Sequence, residues 1–226
     1  MNIETVSADR WQQAQQRELA EWVRAPVDSS DWNEWWTGHF DNYSFLKNLK
    51  IRSILEVGCG PWAKNMLTVL GVIGQDDKKI FLLDPLLDQY AALGKSVTKI
   101  DAVKIVVPLE ELAIGEPVDL IICINVLDHV QSVEKCFARM REHLNPGGIL
   151  ILGQDLTNEE DFVKCPEVST DIMHPIKLDL EACERCLSCY EPIYKKVLGR
   201  QEGRNPRAHY ATLLFAGNRG NAPGAL

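Results

Sequence analysis

The chain lacks any uninterrupted apolar run near the roughly 18 residues that a membrane span needs. Its opening stretch, "MNIETVSADRWQQAQQRELAEW", lacks the apolar centre of a signal peptide. A soluble, cytoplasmic protein with no membrane partner is therefore expected. Positive charge is scarce as well: 24 Lys and Arg against 32 Asp and Glu leave a formal net charge of -8. That balance disfavours a broad phosphate-binding surface and ranks nucleic acid low among partners. There is no internal repeat. Cys183, Cys186 and Cys189 in "ACERCLSCY", with Cys165 upstream, have no second CxxC pair at zinc-site distance. The triplet falls on a predicted helix, where small thiols are ordinary packing residues, so no metal is expected. Seven cysteines, an odd number scattered through apolar segments, fit a reducing compartment better than a disulfide framework.

What is present is a chain of 226 residues, 46% hydrophobic, enough to bury one substantial core. Residues 8–24 carry a weak helical stripe that breaks before Pro26. Then Trp32, Trp35, Trp36, Phe40, Tyr43 and Phe45 crowd together. From there short apolar runs alternate with helical patterns. "SILEV" (53–57), "KIFLLD" (79–84), "VKIVV" (103–107), "VDLIICIN" (118–125) and "GILILGQ" (148–154) read as buried parallel strands. Helices are predicted near 62–71, 85–94, 130–143 and 177–188. "YEPIYKKVL" and "HYATLLFAG" read as a closing antiparallel pair. The expectation is a doubly wound α/β sheet over residues 50–216, an N-terminal helical and aromatic cap over 1–49, and a flexible tail over 217–226.

In such a sheet, ligands bind beyond the carboxyl ends of the strands, so the loop after the first strand draws attention. That loop is "EVGCGPW". Gly58 and Gly60 permit a sharp turn and a close approach of backbone N–H groups, and Pro61 suits the first turn of a helix. Gly58, Gly60 and Ala63 can be fitted to a dinucleotide fingerprint, with Asp84 as its ribose acid. A pyrophosphate would then lie near Glu56, a poor neighbour for it. S-adenosylmethionine suits the loop better, because its methionyl ammonium wants an acid and its ribose offers two hydroxyls to Asp84. Cys59 reads as a small filler inside this cofactor loop.

The sequence resembles class I S-adenosylmethionine-dependent methyltransferases of the small-molecule type. The landmarks are the acid-x-Gly-x-Gly signature at "EVGCG", the acid closing "FLLD", the segment "ICINVLDHV" and the turn "NPGGILIL". The resemblance implies a Rossmann-like, seven-stranded sheet in the order 3-2-1-4-5-7-6 with strand 7 antiparallel. It also implies that Glu56, Gly58 and Gly60 surround the methionyl group and that Asp84 holds the ribose. Leu109 and Glu110 would lie beside the adenine, and Asn125 near the reacting methyl. Trp62 stands where a further glycine is common, and Pro108 where the family often has an adenine-contacting aspartate.

Methyl transfer to a hydroxyl needs a positioned acceptor and a route for its proton. Candidate bases are Asp128 and His129 in "NVLDHV", and His174 in "DIMHPIK"; His209 falls on a predicted strand and reads as structural. Trp32, Trp35, Trp36 and Tyr43 read as a substrate cap over the sheet edge, or as an anchor on the sheet or in a homodimer contact. The expected activity is methylation, most simply O-methylation, of a small-molecule acceptor, with S-adenosylhomocysteine as the coproduct. Alternatives are a nucleic-acid methyltransferase, a non-catalytic cofactor-binding module and a nicotinamide dehydrogenase.

Overall fold

Runs of Ile, Leu, Val and Phe that are apolar on both faces build the centre of the molecule. The computed structural model describes residues 3–24, 31–94, 100–203 and 211–220, with the backbone alone over 31–33. Within them, strands β1 (Ser53–Val57), β2 (Lys79–Leu83), β3 (Val103–Ile105), β4 (Val118–Ile124), β5 (Leu144–Leu156), β6 (Tyr190–Gly199) and β7 (Ala211–Arg219) form one sheet. Its order is β3-β2-β1-β4-β5-β7-β6. The first five strands pair in parallel, and β7 runs antiparallel to both β5 and β6. This is the expected doubly wound topology.

Side-chain alternation divides the core into two layers. Leu55, Val57, Phe81, Leu83, Ile121, Cys123, Leu150 and Leu152 face helices α5 (Val133–Glu142) and α8 (Leu180–Leu187). Ile54, Ile80, Leu82, Leu120, Ile122 and Ile151 face α3 (Lys64–Ile73). Cys183 lies inside the first layer, with Cys186 and Cys189 packed against it from α8 and the residue beyond it. Burial pushes the thiols of Cys183 and Cys186 up, the latter to about 11.

Two expectations shift. The helix after β1 begins at Lys64 rather than at residue 62, because Ala63 adopts a left-handed φ of 45° that a helix cannot contain. Pro61 therefore sits in the turn. The chain also stays ordered past residue 216: β7 runs to Arg219, with Gly217 opposite Leu150 and Arg219 opposite Tyr190. His209 and residues 221–226 lie outside the described residues.

The aromatic stretch divides between the cap and the anchor. It forms α2 (Asp31–Thr37) and a kinked 3-10 segment (Phe40–Asn48). Trp36, Phe40, Tyr43 and Leu46 are buried in the second layer, between the sheet and α3. Phe40 meets Tyr43 edge-on at 5.4 Å, and Tyr43 meets Tyr194 of β6 at 5.8 Å. Trp35 stacks edge-on against Trp36 and His39. Tyr43 is thus an anchor in the core and has no place at the cavity described below, while the Trp32 side chain lies outside the described residues. The reason is hydrophobic area: a sheet face with a single ten-residue helix beside it needs more cover, and these rings supply it.

Tyr43→Ala should accordingly destabilise the protein by about 3–5 kcal/mol, the usual cost of deleting a core aromatic ring. Urea denaturation reads this directly. A loss below about 0.5 kcal/mol, typical of a surface change, would return Tyr43 to a cap.

Candidate functional site

The loops at the carboxyl ends of β1, β2 and β4 surround a cavity of about 700 Å³. Gly58 has φ +60°, and a Cβ there would come within 2.5 Å of Val126 Cγ2, so the β1 and β4 loops touch because that residue has no side chain. Gly60, also left-handed, donates its N–H to Asp84 Oδ2 at 3.0 Å. The other Asp84 oxygen accepts from Leu86 N at 2.9 Å. The carboxylate is therefore fixed at the end of β2 between two loops. Burial, and then the charge of Glu18, push its pKa up to about 7. Asn125 follows β4 in the left-handed region, with its N–H on Gly153 O at 2.7 Å. Its Oδ1 is buried and has no hydrogen-bond partner among the described residues. Gly58, Cys59, Gly60, Asp84, Leu109, Glu110 and Asn125 all line this one cavity.

Glu56 does not line it. Alternation puts its side chain on the α3 face, where Oε1 accepts from Asn65 Nδ2 at 3.1 Å and Oε2 from Met66 N at 3.0 Å. The acid of the signature thus fastens β1 to the first turn of α3, satisfying helix donors that would otherwise be orphaned. Glu110 is divided between two tasks. Its Oε1 caps α5 through Gln131 N and Ser132 N at 2.6 and 2.9 Å, while the carboxyl also faces the buried Cys136 thiol of that helix.

The roof is a helix that the sequence marked only weakly. Helix α1 (Ala8–Arg24) lays Trp11, Gln15, Glu18, Glu21 and Trp22 over the cavity. Trp11 Nε1 donates to the His129 carbonyl at 2.9 Å, and the Arg10 guanidinium donates to the carbonyls of Asp171 and Ile172, each at 2.7 Å. Farther along, Trp22 packs edge-on against Trp62 at 5.1 Å, so the residue standing in place of a family glycine is the seat of the roof. The extended segment before α1 bridges to Lys177 and Ser132. From the floor, Trp36 covers Gly153, where a Cβ would lie 2.6 Å from its ring.

Two imidazoles stand in the wall. His174 holds Asp171 Oδ2 through Nδ1 at 2.5 Å, and His129 Nδ1 lies 3.2 Å from Glu18 Oε2. The rings meet edge-on at 4.5 Å, and His129 Nε2 is 3.8 Å from Asp128 Oδ1. Burial works to lower the His129 pKa, but Glu18 and Asp128 outweigh it and raise it to about 9. Burial would lift the Asp171 carboxyl, yet His174 holds it well below the usual range. The structure thus brings Asp128, His129 and His174 together. It adds Glu18, Asp171 and the buried Lys177, which the sequence did not single out. Their signal, one polar face of α1 and one loop after β5, is legible only once those elements are placed.

A glycine-lined turn, a fixed acid after the second strand and an orphaned amide after the fourth define a protein that binds a nucleoside-bearing cofactor beyond its strand ends. The chain matches the family described as a methyltransferase domain over residues 12–163, and it belongs to that family, whose methyl donor is S-adenosylmethionine. It is 29% identical over 117 residues, 51% of its length, to the ubiquinone biosynthesis O-methyltransferase of Rickettsia canadensis (strain McKiel). The matched part is 45% of that relative, so the alignment spans under half of it. Among solved structures, the N-methyltransferase NodS of Bradyrhizobium japonicum WM9, in complex with S-adenosyl-L-homocysteine, superposes with a TM-score of 0.66 at 15% identity, covering 93% of this chain and 98% of that one. The 1,6-didemethyltoxoflavin-N1-methyltransferase of Burkholderia thailandensis superposes at 0.63 and 11%, covering 98% and 94%. At these identities the superpositions show the shared fold. No described helix is long and apolar enough to cross a membrane.

The cavity fits the cofactor chemically: Asp84 retains lone pairs that ribose hydroxyls would use, and Asn125 Oδ1 is a buried acceptor with no donor among the described residues.

Glu56 generates a prediction of its own. Burial first, against the hydrogen bonds of Asn65 and Met66, raises its pKa to about 8 from 4.5. A carboxyl raised on folding contributes stability that is full below its unfolded value and lost as pH rises through the folded one. The wild type should therefore lose stability between about pH 5 and about pH 8, and Glu56→Gln should show a flatter profile across that window. Urea midpoints at the two ends of the window measure it. Parallel profiles would mean that Glu56 is ionised throughout.

Proposed function

We propose that this chain transfers the methyl group of S-adenosylmethionine to a hydroxyl of a small molecule held under α1. The observation that carries the reading is the convergence of His129 and His174 in the wall of the cofactor cavity, with Asp128 beside them and a carboxylate behind each ring. Asp84 would hold the ribose, with the glycine turn beside the methionyl group and Asn125 near the methyl. The bound donor supplies a methyl group already activated by the adjacent sulfonium. The chain's own task is then to exclude water, align the acceptor and stabilise its oxygen as the hydroxyl ionises. A neutral amine carries a free lone pair and needs no such cluster.

The partly closed cavity under α1 and the net charge of -8 support a small acceptor over nucleic acid. Seven free thiols support a reducing, cytoplasmic setting. The two N-methyltransferases named above share the fold alone and do not weigh on the choice of acceptor atom.

A screen of hydroxylated and aminated metabolites should yield turnover with hydroxyl acceptors. His174→Ala should slow single-turnover transfer to a hydroxyl by about 10²-fold, and transfer to a neutral amine much less. A near-wild-type rate on a hydroxyl acceptor in that variant would remove the cluster from the chemistry.

A further inference from the structure

We propose that Asp128, His129 and His174 form a binding site for one divalent transition-metal ion. One carboxylate oxygen and one nitrogen from each ring lie within 4.8 Å of one another. The Nδ1 of each ring faces a carboxylate, Glu18 for His129 and Asp171 for His174. That leaves Nε2 on each ring to face the common point, and 3.8 Å already separates His129 Nε2 from Asp128 Oδ1.

Two physical arguments favour a cation there. Imidazoles that ligate a metal characteristically donate their other N–H to a carboxylate, which fixes the tautomer and raises the basicity of the ligand nitrogen, and both rings here have that support. Two nitrogens and one carboxylate also leave coordination positions open, as a site that binds a further ligand must. Imidazole donors select Zn²⁺, Co²⁺ or Fe²⁺ over Mg²⁺.

The inference deepens the hydroxyl reading and rests on it only for its chemistry. An acceptor hydroxyl on the cation ionises at neutral pH and releases its proton to water. The oxygen lone pair then forms the C–O bond as the C–S bond breaks, and that electron pair stays on sulfur.

Co²⁺ is the probe, because its absorption spectrum distinguishes nitrogen and oxygen ligands from thiolates, of which this chain has several potential sources. The chelator-treated 226-residue chain, without methyl donor or acceptor, should take up one equivalent. Its ligand-field bands should carry no intense thiolate charge-transfer band. Asp128→Ala and His174→Ala should each weaken uptake at least 10-fold, and Asp171→Asn, which leaves the three ligands in place and weakens the support of His174, about 10-fold. Superimposable far-ultraviolet circular dichroism and cooperative thermal unfolding would show that the variants keep their fold. No uptake by the wild type, a thiolate spectrum, or uptake indifferent to these substitutions would each overturn the site. Because metal uptake is read without an acceptor, its failure is separable from failure of the hydroxyl reading, which shows only in the acceptor screen.

Discussion

The hydrogen bond from Gly60 N–H to the carboxylate of Asp84 is the constraint on which the site depends. It joins the turn after β1 to the turn after β2 at 3.0 Å, beside the backbone bond from Cys59 N to Leu83 O at 3.2 Å. With Leu86 N on its other oxygen, Asp84 cannot swing away, and the glycine turn cannot collapse into the space that a cofactor would fill. The link also explains why the residue after Cys59 is a glycine: Gly60 is left-handed, with open space where a Cβ would stand. Gly58 meets a different demand, contact with Val126 of the β4 turn. Two adjacent turns are thus locked by two glycines for unlike reasons.

Around that lock the molecule is arranged in tiers. Glu56 secures the helix that follows the turn, the aromatic stretch fills the face beneath, and α1 closes the top through Trp11 and Trp22. Only the last tier touches the imidazoles. Glu18 on α1 reaches His129, so the roof completes the electrostatics of the wall as well as excluding water. A charged pair in a partly closed cavity interacts far more strongly than it would in bulk water. Roof and wall therefore form a coupled unit.

The sheet was legible because strands buried on both faces are near-continuous apolar runs, and because the order of landmarks from "EVGCG" to "NPGGILIL" leaves few alternative topologies. Gly58, Gly60 and Asp84 were legible for the same reason. The direction of Glu56 follows from strand parity, but only once α3 is known to pack on that face. Crowding of aromatics in sequence does not say which ring faces a core and which a cavity. Trp36 does both, Tyr43 only the first. The attachment points of the helical cap were not legible because they are remote: Trp11 bonds a carbonyl 118 residues away. His129 and His174 were each visible singly, and nothing in their spacing announces that the loops after β4 and β5 bring the rings to 4.5 Å.

The account stands most directly on where the donor binds. Calorimetric titration of S-adenosylhomocysteine into the wild type and into Asp84→Asn tests it. The substitution keeps the side-chain shape but removes one of the two carboxylate oxygens that receive Gly60 and Leu86. The account requires binding by the wild type and a loss of about 10-fold or more in the variant, equivalent to roughly 1.4 kcal/mol. Equal affinity in both proteins, or tight binding of NADH in place of S-adenosylhomocysteine, would contradict it.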